Sequence, residues 1–163
     1  MTEGAVLLVH GAVRSGKTTA VGAAAAAGNC VGVLAPDGPD GRHFVDLASG
    51  DEEPLEHPES GEAVVKVGRF RFRRAAFDFA NARLLAADGN RVVVVDEVGP
   101  LELRGEGLAP GLGALLAVRP ALLILIVRDP LLATVRHQFG LGEVELWGTD
   151  TWPHLAHRLS GVR

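Results

Sequence analysis

Gly11-Ala12-Val13-Arg14-Ser15-Gly16-Lys17-Thr18 fits G-x-x-x-x-G-K-[ST] at every fixed position. Glycines at these places leave the backbone free to wrap an anion, with successive N–H groups turned toward phosphate oxygens. In that arrangement Lys17 reaches the β- and γ-phosphates and the Thr18 hydroxyl ligates Mg²⁺. Thr19 extends the motif, so Gly11 to Thr19 is the expected nucleotide-binding segment. Lys17 is one of only two lysines in the chain, against 14 arginines. Its arrival at the motif's cation is therefore hard to credit to composition. The flanks agree: Ala5–Val9 reads as a buried strand and Thr18–Ala27 as an Ala-rich helix, which puts the loop at a helix N-terminus, where anions bind well.

A second cluster lies about 80 residues on. Val92-Val93-Val94-Val95-Asp96-Glu97 is four β-branched residues running into two acids. Four consecutive apolar residues predict a strand covered on both faces. Its acids then stand at the carboxyl end, where open α/β sheets place their ligands. This is the pattern of a Walker-B strand, with Asp96 and Thr18 expected at the metal. Glu97 is placed to accept a proton from an attacking water.

The elements that must position these groups alternate between strand-length apolar runs and helical segments, which predicts an α/β layered fold with a largely parallel sheet. Strands are expected at Ala5–Val9, Cys30–Leu34, Val64–Val67, Arg91–Val95, Leu122–Val127 and Val144–Leu146. Helices are expected at Thr18–Ala27, Ala75–Ala87, Leu112–Val118, Leu131–Phe139 and from Trp152 to Leu159. Gly89-Asn90 reads as a stop between the second helix and the strand after it. Leu112, Leu115 and Leu116 recur at helical spacing and belong to the core. Residues 35–61, rich in Pro, Gly and acid, read as a hairpin and loop excursion with a strand-like piece at His43–Leu47. Asp51, Glu52, Glu53, Glu56, Glu59 and Glu62 cluster there without the fixed spacing of a metal site, and read as solvated loop charges.

At 163 residues the chain suits one domain with a sizeable core. A net charge of −4 speaks against general binding to nucleic acid or an anionic membrane. Cys30 stands alone, so no internal disulfide is possible, which suits a reducing, cytoplasmic setting. The apolar run 121–127 is too short to span a bilayer. The first apolar run, broken by Gly11, Arg14 and Lys17, does not read as a signal peptide.

The string Asp96-Glu97-Val98-Gly99-Pro100-Leu101-Glu102-Leu103 resembles the Asp-Glu-Ile-Gly-x-Met-Glu-Leu signature of the small nucleoside-triphosphatases first known from thermophiles, a family whose human relative is called cancer-related nucleoside-triphosphatase. Three further stretches are similar: Thr18-Thr19 after the P-loop, Gly41-Arg42-His43-Phe44-Val45-Asp46-Leu47, and Lys66-Val67-Gly68-Arg69-Phe70. The likeness runs along essentially the whole chain. It implies a three-layer P-loop fold of the branch with a Glu after the Walker-B Asp, and a monomer. It also implies Mg²⁺-dependent hydrolysis of ATP, GTP, CTP and UTP to the diphosphate and phosphate, with little base selectivity. The chain departs from the family pattern in two places. The Gly-Phe-x-x-x-Glu-x-Arg segment after the second strand is replaced by Gly32-Val33-Leu34-Ala35-Pro36-Asp37-Gly38. Thr151-Trp152 stands where an Asn-Arg pair is often found.

Phosphoryl transfer also benefits from an arginine aimed at the γ-phosphate. Arg128 follows Leu122–Val127 and should emerge at the same edge as Asp96; Arg14 lies inside the P-loop. Arg69-Phe70-Arg71-Phe72-Arg73 alternates as a strand does, rings inward and guanidiniums outward. Trp152 could stack on a base or pack at a helix edge. His154 and His157 share a possible face but lack a third metal ligand, and read as surface residues. Two other activities share a P-loop. A small-molecule or nucleoside kinase would use Glu97 on a substrate hydroxyl, but no Arg-rich lid insertion is visible. A guanine switch could use the Asp96-x-x-Gly99 spacing, but no Asn-Lys-x-Asp is present.

Overall fold

The computed structural model describes residues 4–89 and 91–162; Asn90, half of the expected stop after the second helix, lies outside them. The chain runs β1 (Ala5–Gly11), α1 (Lys17–Ala26), β2 (Cys30–Leu34), β3 (Asp37–Gly38), β4 (Gly41–Asp46), β5 (Glu52–Pro54), β6 (Val64–Val67), β7 (Phe70–Arg73) and α2 (Arg74–Leu85). It continues through β8 (Val92–Asp96), α3 (Pro100–Leu103), α4 (Ala109–Val118), β9 (Leu122–Arg128), α5 (Leu132–Gln138), β10 (Glu145–Trp147) and α6 (Leu155–Ser160). Single 3₁₀ turns at Asp129–Leu131 and Trp152–His154 lead into α5 and α6.

The main sheet has the order β10-β1-β9-β8-β2-β4-β3, with β5 also on β4. The five strands from β10 to β2 are parallel, and β4 joins β2 antiparallel. Strands β8 and β9 are unbroken Val, Leu and Ile because both faces of the sheet are covered. Alternate residues serve two cores. Leu8, Val93, Val95, Leu123 and Leu125 pack with Phe77, Leu84, Leu112 and Leu115 from α2 and α4. Leu7, Val9, Val94, Ile124 and Ile126 pack on the other face with Val21 and Ala24 of α1 and Leu155 and Leu159 of α6. Helices thus cover both faces of a mostly parallel sheet, as the sequence predicts.

Three differences are informative. Val64–Val67 is not a strand of the main sheet: it pairs with β7 as a separate two-stranded hairpin. Gly68, at φ +56°, turns the chain back at once, and β6 exchanges its hydrogen bonds with β7. The excursion is more ordered than a hairpin and loop, since β3, β4 and β5 extend the main sheet beyond β2. A short helix, α3, follows the acid pair where none is expected, opening at Gly99-Pro100.

The Arg-Phe alternation is also only partly obeyed. Phe72 packs toward Phe77, but Phe70 is 51% exposed and lies flat against Phe72, 6.0 Å away. Arg69 and Arg71 are exposed, whereas Arg73 turns in, with Nη1 2.8 Å from Glu53 and Nε 2.7 Å from Glu62. Arg73 thereby ties the acidic excursion to the start of α2.

Candidate active site

Register decides what meets at the carboxyl edge of the sheet. Val9 of β1 and Asp96 of β8 both pair with Ile126 of β9, so the three residues form one row. From that row β1 continues through His10 to Gly11 and the P-loop begins, while β9 continues to Arg128 beside Gly11. Each strand-to-strand step is about 4.8 Å, so β1 and β8 stand roughly 10 Å apart. The P-loop spans that gap and α1 starts over the end of β8.

Within the loop, Gly16 sits at φ +96°, a conformation closed to most side chains, and it delivers the chain into α1. Ser15 Oγ donates to the Ala12 carbonyl at 2.6 Å and tightens the turn. Ala12, Val13, Arg14 and Thr19 are exposed around the cradle. Lys17 is buried, and its ammonium folds back on the loop's own carbonyls, 2.6 Å from Ala12 O and 3.4 Å from Gly11 O. An anion in the loop would compete with those carbonyls for the same charge.

Thr18 Oγ1 donates to Asp96 Oδ2 at 2.8 Å, and the backbone N–H of Ala35 donates to the same oxygen at 2.9 Å. Burial pushes the Asp96 carboxyl up to about 6, against the opposing pull of these two donors; the neighbouring Glu97 pushes it the same way as burial. A hydroxyl and a carboxylate in contact, both hard oxygen donors, fit Mg²⁺, which is commonly held by one or two protein oxygens together with phosphate and water. The Asp96–Glu97 peptide is cis. Glu97 is half-buried, and its Oε1 lies 3.0 Å from Nε of Arg128. The structure therefore gathers Lys17, Thr18, Asp96, Glu97 and Arg128, which are scattered over 112 positions of sequence, at one end of the sheet.

The family described as NTPase matches residues 6–146. The chain belongs to this nucleoside-triphosphatase family. Membership suggests nucleoside-triphosphatase activity, and it bears out the resemblance carried by the string from Asp96 to Leu103. No curated protein matches the sequence. Among solved structures the chain is similar to THEP1 from the hyperthermophile Aquifex aeolicus. That match has a TM-score of 0.71 at 18% identity and covers 97% of this chain and 99% of the other. The fold is therefore that of the P-loop nucleoside-triphosphatases.

The remaining candidates have structural or surface places. Arg73 is held in the ion pairs with Glu53 and Glu62, and its hydrogen bonds go to these two acids and to Pro54 O. Trp152 has no free face for a base: it is 9% exposed in the α1–α6 core, and its Nε1 donates to Trp147 O at 3.0 Å. A Cβ placed on Gly11 would meet its ring at 3.0 Å, so the indole lies directly against the P-loop strand. His154 and His157 are exposed. Among the described residues, no group of three or more His, Cys, Asp or Glu is arranged to hold a metal.

Glu102, which the sequence shows only as one letter of the string from Asp96 to Leu103, is a positioning residue. Its carboxylate accepts the N–H of Gly99 at 2.9 Å and of Leu108 at 2.8 Å, clamping the turn after Glu97 to the start of α4. Burial pushes it up to about 7. An acid six positions after Asp96 was visible in the sequence, but its inward orientation depends on α3. Two surface clefts of about 400 and 350 Å³ lie apart from the P-loop and the acid pair. The first is lined by Gly22, Cys30 and Arg91, the second by Lys66, Asp78 and Glu106. Neither follows the chemistry.

Proposed function

We propose that the chain, acting as one P-loop domain, hydrolyses nucleoside triphosphates to the diphosphate and inorganic phosphate with Mg²⁺ as cofactor. The observation that carries this reading is the 2.8 Å contact between Thr18 and Asp96 beside the P-loop. When bound, Mg²⁺ would offset the charge on the β- and γ-phosphate oxygens, with Thr18 and Asp96 as its protein ligands. The backbone from Gly11 to Thr19 binds the phosphates, and Lys17 leaves the carbonyls of Gly11 and Ala12 for the β- and γ-oxygens. Glu97 takes the proton of a water in line with the γ-phosphorus. The new P–O bond forms as the bond to the β-phosphate oxygen breaks, and the diphosphate leaves.

Arg128 is the arginine best placed for charge developing on the transferred group, since it already touches Glu97 and stands beside Gly11. Arg14 is exposed on the loop, and Arg69 and Arg71 are exposed around the β6–β7 turn. Those three make no contact with the acid pair among the hydrogen bonds and ion pairs of the described residues. Trp152 is packed in the core and offers no open ring face to a base, in keeping with low base selectivity across ATP, GTP, CTP and UTP. The reading places the protein as a monomer in the cytoplasm. No described helix is long and apolar enough to cross a membrane.

The test is nucleotide binding by Lys17→Ala, together with phosphate release measured with no acceptor present. The variant should bind Mg-triphosphate at least tenfold more weakly than wild type. Equal binding would remove the site assignment. Phosphate transfer that occurred only when a nucleoside or other hydroxyl acceptor was added would identify a kinase instead.

A further inference from the structure

Among the described residues, one buried side-chain nitrogen or oxygen lacks a hydrogen-bond partner, and it belongs to Arg42. Its Nε is shut off from solvent, while the side chain as a whole is a third exposed, so its outer end is open. The nearest acid, Asp37, lies 3.5 Å from Nε on a carboxylate that is 74% exposed, a contact too long and too solvated to satisfy the donor. Buried donors in folded proteins are nearly always paired, and an orphan calls for an explanation.

Position supplies one. Arg42 stands opposite Asp37 in the β3–β4 pair, and the next residue, His43, donates its N–H to Pro36 O at 3.2 Å. Pro36 directly follows Ala35, whose N–H holds Asp96. The arginine therefore rides on the backbone segment that braces the acid at the end of β8. Its positive charge is felt at the Asp96 carboxyl, which it draws toward the ionised form.

We propose that Arg42 is a substrate-binding residue of this site, an arginine whose buried Nε lacks a hydrogen bond and whose open outer guanidinium nitrogens take an oxygen of the terminal phosphate. The inference rests on the nucleoside-triphosphatase reading and deepens it, by making recognition of the third phosphate depend on the β3–β4 edge as well as on Lys17. An arginine fits the task because its fork presents several N–H groups at fixed angles to one anion. The diphosphate lacks the oxygen concerned, so Arg42 should discriminate substrate from product.

Calorimetry with the full chain tests this, using a non-hydrolysable Mg-ATP analogue and Mg-ADP on wild type, Arg42→Met and Arg42→Lys. Methionine keeps an apolar stem and removes every donor. The expected result is triphosphate binding weakened tenfold or more in Arg42→Met, with ADP affinity within twofold of wild type and Arg42→Lys between the two. The unliganded melting temperature of Arg42→Met should be unchanged or higher, because no internal hydrogen bond is lost. An unchanged ratio of triphosphate to diphosphate affinity would overturn the inference. So would a lowered melting temperature or failure of Arg42→Met to fold, either of which would make the arginine structural. If wild type itself bound no triphosphate, the proposed function would fall first, and this inference with it.

Discussion

Glu97 and Arg128 carry the sharpest residue-scale expectations. Their side chains meet at 3.0 Å, so each is held where the other can use it. Glu97→Gln keeps the size of the side chain and removes its basicity. It should lower kcat by about 10²-fold or more while leaving triphosphate affinity within a few fold. Steady-state phosphate release and calorimetry on the same variant separate the two; unchanged kcat would remove Glu97 as the base. Arg128→Ala should also fall mainly in kcat, by about 10³-fold if the guanidinium meets charge that develops only in the transition state. A loss confined to KM would instead make Arg128 a ground-state contact. The P-loop, the acid pair and the emergence of Arg128 at their edge were legible because each is local: a motif, or the last residue of an apolar run. Arg42 and Glu102 stand in stretches that resemble the family's, but their roles as orphaned donor and buried clamp were not legible, because those are defined by their surroundings.

At the scale of elements, the site depends on how closely β2 lies against β8. Gly32 is at φ +108°, and a Cβ there would fall 2.1 Å from Val94 O. Gly32→Ala must push the two strands apart or strain the backbone, and should cost about 3 kcal/mol. The damage should reach the site, because β2 leads into Ala35, whose N–H braces Asp96. Urea unfolding and phosphate release on this variant should therefore fall together, and a stable but inactive or an active but unstable protein would break the link. Apolar runs identified the parallel strands within a residue or two at most ends. They could not fix which strands are neighbours, and β9 between β1 and β8 is a matter of tertiary pairing. Val64–Val67 was misplaced for the same reason: its pattern reads as a strand, but Gly68 and the alternation in Phe70–Arg73 give it a local partner. The short α3 escaped because four residues are too few to show a helical period.

Across the whole molecule, the buried acids of the site should shape stability against pH. Asp96 rises from 3.8 to about 6 and Glu102 from 4.5 to about 7, so both bind protons more tightly in the folded chain. Their contribution is full below about pH 4 and is lost as pH climbs through 6 and 7. It amounts to about 3 kcal/mol for each acid. Glu62, which accepts the Glu59 N–H and pairs with Arg73, and Glu145, which pairs with Arg158, are lowered, and their contribution is lost only on acidification below their ordinary value of 4.5. The unliganded protein should thus be more stable to urea at pH 5 than at pH 8, and Asp96→Asn should remove part of the difference. A flat profile would mean that the two carboxyls are not held as the fold indicates. The same burial that weakens the empty site at neutral pH primes Asp96 for a cation, so stabilisation by Mg-nucleotide should grow over this range. The measurement that bears most directly on the account is release of inorganic phosphate from ATP, GTP, CTP and UTP, with no acceptor, in Mg²⁺ and in chelator. The convergence of Thr18 and Asp96 beside the P-loop predicts release from all four in Mg²⁺, none in chelator, and loss of activity in Asp96→Asn. Undiminished release in chelator, or from Asp96→Asn, would contradict it.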